Sequence, residues 1–155
     1  MTTPDHLRAV LRRVPTGVAV VTVEAGGKRI GLTVATLVSL SLEPPLVGVA
    51  IARQAAIHEL LREAGSCAFS LLAACQEAIA EHFARGVPPI GMWEGIAIRE
   101  GIGGAPLLEG ALGWLDCRVV EELQTGTHTF FVCEVVRAET GRAAAPLIRL
   151  DGSYR

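Results

Sequence analysis

The side chains of this sequence that could do chemistry are few, and their spacing matters more than their number. Four hydroxyls, Thr33, Thr36, Ser39 and Ser41, recur every two or three residues in GLTVATLVSLSLEPP (31–45), an apolar run that stops at two prolines. His128 follows Gly126-Thr127 and opens HTFFVCEVV, the most apolar strand-like run of the chain. A histidine at such a mouth can donate to a ligand carbonyl or phosphate, or cap the turn. His6, His58 and His82 fall in helical patterns; His6 and His58 have charged neighbours and are expected to face solvent. The four cysteines form no CxxC pair, and Cys67, Cys117 and Cys133 lie in apolar runs. They are expected to serve as small hydrophobes, with no metal site.

Protein-borne catalysis has no visible apparatus. There is no GxSxG elbow, HExxH, Walker loop or GxGxxG, and acidic residues come in surface-like pairs such as Glu121-Glu122. No catalytic side chain is assigned on these grounds. A chain so equipped leaves hard chemistry to a cofactor. Hydroxyls and backbone N–H groups on one rim of an apolar site suit a ring system with polar edges and a phosphate. On an ordinary strand the same hydroxyls would face solvent or satisfy nearby backbone, since Thr is at home there.

The elements that must position these groups follow from pattern. Thr3, Pro4 and Asp5 start a helix whose Leu7, Val10, Leu11 and Val14 share one face. Val18–Val23 and the run from Ile30, joined through Gly26-Gly27, predict a hairpin. Leu46–Ala52 reads as a strand, Gln54–Gly65 as a helix ended by glycine, Ser66–Leu72 as a strand, and 73–86 as a short helix ending at Gly86. Residues 87–104 are Pro/Gly-rich and read as a long loop. Two long strands surround the Thr125-Gly126-Thr127 turn, and Pro146–Leu150 forms a last short one. About six strands joined by hairpins predict a mainly β, antiparallel barrel with short inserted helices, in one domain over 1–155.

The bulk properties exclude several roles. A net charge of -2 and a pI near 6.1 leave no basic stripe for nucleic acid. No apolar run reaches the roughly 18 residues of a membrane helix, and no leader is recognised, so a cytoplasmic location without membrane contact is expected. Half of the residues are hydrophobic and the mean hydropathy is +0.42. A surplus of this size in a short chain predicts apolar surface buried against a second copy.

Taken together, the segments resemble the flavin reductase-like family. GLTVATLVSLSLEPPLVGVAI resembles its Gly-x-Thr, serine-rich, Pro-Pro signature, and PTGVAVVTV its first strand. HELLREAGSCAFSLLAACQEAIAEHFARG, GAPLLEGALGWLDCRV, GTHTFFVCEV and DGSYR are similar to its later segments in the same order. The resemblance implies a split β-barrel with a Greek-key core, a homodimer, and FMN or FAD reduced by NADH or NADPH. It further implies that reduced flavin passes to a partner monooxygenase. FMN is favoured, because the short chain shows no obvious adenine pocket.

By position, the resemblance assigns Thr33, Val34, Ala35, Thr36, Leu37, Ser39 and Ser41 to the flavin ring and ribityl chain. Arg53, Gln54 and Ala55 fall near the flavin phosphate, Phe83 and Arg85 at its far end, and His128 and Tyr154 at the nicotinamide. Three departures stand out. Ala35 replaces a Ser or Asn, Ala55-Ala56-Ile57 replaces hydroxyl residues after the arginine, and Thr127 replaces the Asp before the histidine. They raise a second reading, a flavin-carrying barrel without nicotinamide turnover.

Overall fold

The computed structural model describes residues 1–85 and 90–155; Gly86, where the third helix was expected to end, and the first residues of the expected long loop lie outside them. Twelve strands and three α-helices alternate irregularly among the described residues. Helix α1 is Pro4–Leu11, capped by the Thr3 hydroxyl, which accepts the His6 N–H at 3.1 Å. Then come β1 (Thr16–Gly17), β2 (Ala19–Ala25), β3 (Lys28–Val34), β4 (Val38–Leu42) and β5 (Pro45–Ala52). Helix α2 (Ala56–Ala64) leads to β6 (Ser66–Leu71), a 3-10 turn at Ala74–Gln76, and α3 (Glu77–Ala84). The chain closes with β7 (Ile98–Glu100), β8 (Pro106–Leu108), β9 (Gly113–Thr125), β10 (His128–Thr140), β11 (Ile148–Leu150) and β12 (Ser153–Tyr154).

Seven strands make one antiparallel sheet in the order β3-β2-β6-β9-β10-β5-β4. Its ladder is open, with β3 and β4 as the two edges. These edges are consecutive in the chain and are joined only by residues 35–37. The hairpin between β2 and β3 turns on Gly26 (φ 56°) and Gly27 (φ 80°), a conformation that side chains resist. The core lies between the sheet and α2, where Val21, Ile51, Ile57, Leu61, Phe69 and Phe131 are each at most 1% exposed.

Cys67, Cys117 and Cys133 are all buried there as free thiols, with Cys67 and Cys117 directly opposite in β6 and β9. Hydrogen bonding to the other two thiols, then burial, pushes the Cys67 thiol well above its ordinary value. It stays protonated at neutral pH, as a packing group.

Three sequence expectations need correction. The apolar run 31–45 is not one continuous element but the end of β3, a linker and an edge strand whose Val38, Leu40 and Leu42 are 43%, 46% and 90% exposed. The region read as a long loop contains β7, paired antiparallel with β8. His58 does not face solvent: it is 2% exposed, its Nε2 lies 2.7 Å from the Thr129 hydroxyl, and its ring packs edge-on to Phe131. Its place on the same face as Leu61 decides this; charged sequence neighbours sit on other faces of a helix.

Candidate active site

The register between β5 and β10 pairs Ala52 with His128. Everything after Ala52 in one strand and before His128 in the other therefore meets at one rim. The Arg53 N–H donates to the Thr127 carbonyl at 3.0 Å, and its guanidinium reaches the Gly126 carbonyl. Gly126 holds φ 75°, which lets the turn close in two residues. The Thr127 hydroxyl lies 2.9 Å from His128 Nδ1. Where an aspartate was expected, a hydroxyl thus still orients the imidazole, without a charge.

Helix α2 begins at this rim. Its N-cap is Ala55, which offers no side-chain acceptor. The His58 N–H turns back to the Ala55 carbonyl at 3.0 Å, and the N–H groups of Ala56 and Ile57 before it have no side-chain cap, the arrangement that anions exploit. Arg53 and Gln54 are both exposed beside it.

The hydroxyl-rich segment divides its labour. Thr33 donates to the Ala80 carbonyl at 2.7 Å and ties β3 to α3. Thr36 donates to the Ala50 carbonyl at 3.0 Å and accepts the Ala50 N–H at 3.2 Å, fixing the linker to β5. Ser39 is exposed and Ser41 half-buried on β4, and neither hydroxyl has a partner among the described residues. A bulge between them leaves Leu40 without a register partner. Two hydroxyls are therefore spent on ties between elements, and two remain free on β4, opposite Val47 and Leu46 and toward the other end of β5 from Ala52.

Other assigned residues gather nearby or stand apart. Thr33, Val34 and Ala35 share a small recess with Tyr154, Arg149 and Val18. Leu37 is half-buried and packs on the core. Phe83 is 1% exposed and packs on Trp93 at 5.2 Å between centroids. A Cβ on Gly31 would come within 2.8 Å of the Phe83 ring, so that ring is wall, with no face presented to a ligand. Arg85 is exposed at the end of α3, 3.9 Å from Glu81.

Sequence reasoning missed two groups at this site. Trp93 donates from its indole to the Arg29 carbonyl at 2.9 Å, pinning residues beyond the undescribed segment onto β3. Arg149 pairs with Thr16 of β1 and Tyr154 of β12, and its guanidinium lies 5.1 Å over the Tyr154 ring. Only the pairing of three distant segments puts Arg149 there; its immediate sequence shows just one cation between Ile148 and Leu150.

Residues 11–155 match the flavin reductase like domain. The chain belongs to that family. It is 38% identical over 151 residues to the reductase component of 4-hydroxyphenylacetate 3-monooxygenase from Thermus thermophilus, covering 97% of this chain and 95% of that protein. It is 36% identical to an NADH-dependent FAD reductase of Streptomyces globisporus over 97% of this chain and 84% of the relative. A solved NADH:FAD oxidoreductase of Streptomyces globisporus C-1027, in complex with NAD and FAD fragments, superposes with a TM-score of 0.93 at 33% identity. That alignment covers 100% of this chain and 94% of the other. No described helix of the present family member is long and apolar enough to cross a membrane.

Proposed function

We propose that this chain is an NAD(P)H-dependent flavin oxidoreductase that supplies reduced flavin to a partner monooxygenase. The observation that carries it is the register of Ala52 with His128, which sets a histidine, an arginine and an uncapped helix start around one rim. The donor set fits a phosphate-bearing flavin: the N–H groups opening α2 and Arg53 lie together, with the free hydroxyls of Ser39 and Ser41 farther along β4. The small Ala35 and the Thr33–Leu37 backbone form the adjoining surface, with Gln54 and Ala55 by the phosphate. Arg85 stands at the far end, and Phe83 acts through the wall it supports.

When bound, flavin supplies the redox chemistry by accepting hydride from the reduced nicotinamide. The chain's own part is to hold and orient, which can provide roughly 7–11 kcal/mol of a barrier. His128, set by the Thr127 hydroxyl, orients the nicotinamide, with Tyr154 at the mouth. Because Thr127 takes over the positioning of His128, the reading as a carrier without turnover loses its main argument.

The same reading includes one split-barrel domain over 1–155 with a Greek-key core, a homodimer and a cytoplasmic location. The split barrel draws support from edges β3 and β4 being joined by three residues. The homodimer draws it from the three sheet bulges, whose unpaired residues Leu40, Val120 and Val136 are all apolar and 46%, 46% and 52% exposed.

Purified protein should oxidise NADH or NADPH with FMN or FAD added, and should sediment as a dimer. A folded protein that oxidises neither donor with either flavin would sink the enzyme reading. His128→Ala should raise the nicotinamide KM roughly three- to tenfold, the size of one lost hydrogen bond. A collapse of flavin affinity in that variant would instead move His128 to the flavin.

A further inference from the structure

Two polar side chains meet where the core would readily take apolar ones, between the first turn of α2 and the start of β10. His58 is 2% exposed and Thr129 is fully buried, in the layer that also holds Ile51, Ile57, Leu61 and Phe131. The imidazole Nε2 lies 2.7 Å from the Thr129 hydroxyl, and the ring packs edge-on to Phe131 at 5.5 Å between centroids. Neither residue belongs to the flavin or nicotinamide assignments. A leucine facing a valine would fill this space without the cost of burying two polar groups. What the hydrogen bond adds is direction. An apolar contact lets a helix slide or turn on a sheet, whereas a buried hydrogen bond fixes distance and angle.

The bond sits where position matters. Thr129 follows His128 and pairs with Ile51, so strand alternation turns Thr129 inward to α2 while His128 stays at the rim opposite Ala52. His58 is the third residue of α2, in the same turn as the N–H groups of Ala56 and Ile57. The connection from β5 into that turn is tied at its strand end. There the Arg53 N–H donates to the Thr127 carbonyl and the Ala55 N–H to the Ala52 carbonyl, both at 3.0 Å. The helix end has no such local tie, because Ala55 supplies no side-chain cap. Arg62 and Glu122 join α2 to β9 at 3.0 Å, but one turn farther along and partly in solvent. His58 thus fixes the first turn of α2 against the strand that carries His128.

We infer that His58 is a positioning residue: through Thr129 it holds the open N–H groups of α2 where they meet the flavin phosphate. The inference rests on the reductase reading, which puts that phosphate at the start of α2. Its consequence is selective. FMN carries the phosphate and loses affinity when the tie is cut. Riboflavin, with the same ring and a ribityl chain ending in a hydroxyl, does not.

The test is fluorescence titration of the full chain with FMN and with riboflavin. It compares wild type with His58→Leu, Thr129→Val, the two combined, and His58→Gln. Wild type should bind FMN more tightly than riboflavin. His58→Leu and Thr129→Val should each weaken FMN about three- to tenfold, the size of one hydrogen bond, with riboflavin unchanged. The combined variant should lose no more than either single one, because both cut the same bond. His58→Gln, whose amide oxygen can accept the Thr129 hydroxyl in place of Nε2, should keep most of the FMN affinity. If His58→Leu fails to fold, Thr129→Val and His58→Gln carry the comparison, since valine keeps the shape of threonine. Equal losses for FMN and riboflavin in Thr129→Val would mean a loosened core and overturn the inference. So would FMN affinity unchanged in both Thr129→Val and His58→Leu. The two readings fail separately. A protein whose FMN affinity depends on this pair but which oxidises no nicotinamide sinks the reductase reading and leaves His58 in its role. An active reductase that binds FMN and riboflavin equally well overturns the inference while its activity stands.

Discussion

Helices α1 and α2 are nearly the same object in sequence and opposite objects in the fold. Each is one turn or two beyond minimal, with apolar residues at i, i+3, i+4 and i+7: Leu7, Val10, Leu11 and Val14 in and just after one, Ile57, Leu60, Leu61 and Ala64 in the other. In α2 that face is buried, with Ile57 at 1%, Leu60 at 8% and Leu61 at 0% exposure. In α1 it is open, with Leu7 at 49% and Leu11 at 55%. The capping is reversed. Thr3, Pro4 and Asp5 start α1 by every local rule, whereas α2 starts at Ala55 with no cap. Packing holds α2, and local chemistry holds α1. What each helix lacks differs: α2 has no side-chain cap at its start, and α1 has no cover for its apolar stripe among the described residues.

The strongest way to break this contrast is to truncate one leucine on each helix. Leu61→Ala should cost about 2–5 kcal/mol, because it empties a buried site. Leu11→Ala should cost less than about 1 kcal/mol, as exposed positions do. Urea unfolding of both variants measures the difference. Equal costs would mean that α1 is covered in the assembled protein, with a second copy as the cover.

A smaller effect is expected from exchanging the caps. Thr3→Ala should remove about 1 kcal/mol from α1 alone. It should be visible as faster amide exchange at its first turn, with the global midpoint unmoved. Ala55→Ser should add about 1 kcal/mol to α2, whose start is welded to the core, and so raise the melting temperature. It also restores a hydroxyl beside Arg53, so flavin should bind a few-fold tighter. A stabilised variant with unchanged flavin affinity would remove the phosphate from this helix start.

Local chemistry was legible in the sequence, and long-range consequence was not. The α1 cap, the Gly26-Gly27 hairpin, the Gly65 stop of α2 and the buried cysteines each depend on a few adjacent residues. Leu40, Val120 and Val136 escaped because a bulge adds one residue and breaks the period of two, which no composition signals. His58 escaped because its burial depends on Phe131 and Thr129, more than seventy positions away in the chain. The site divides the same way. His128 announced itself by its turn, Thr33 and Thr36 were found but spend their hydroxyls on Ala80 and Ala50, and Arg149 needed three strands to be noticed.

The smallest expected effect lies on the solvent side of α2, at Glu59. Its carboxylate lies 3.1 Å from His58 Nδ1 and 3.3 Å from Arg62, and the His58 contact is the main cause holding its pKa below the ordinary 4.5. With Nδ1–H donating to Glu59, Nε2 accepts the Thr129 hydroxyl, so one imidazole links α2 to β10. A carboxylate held low contributes stability that is complete above its unfolded pKa and is lost as pH falls through the lower folded one. Glu59→Gln should therefore lower the urea midpoint slightly at neutral pH and converge with wild type in acid, below the ordinary glutamate range. The effect is small because the carboxylate is exposed and solvent screens it. A midpoint difference that stayed constant from neutral pH into that acid range would show that the glutamine acts by geometry, and that the charge of Glu59 does nothing to hold His58 in place.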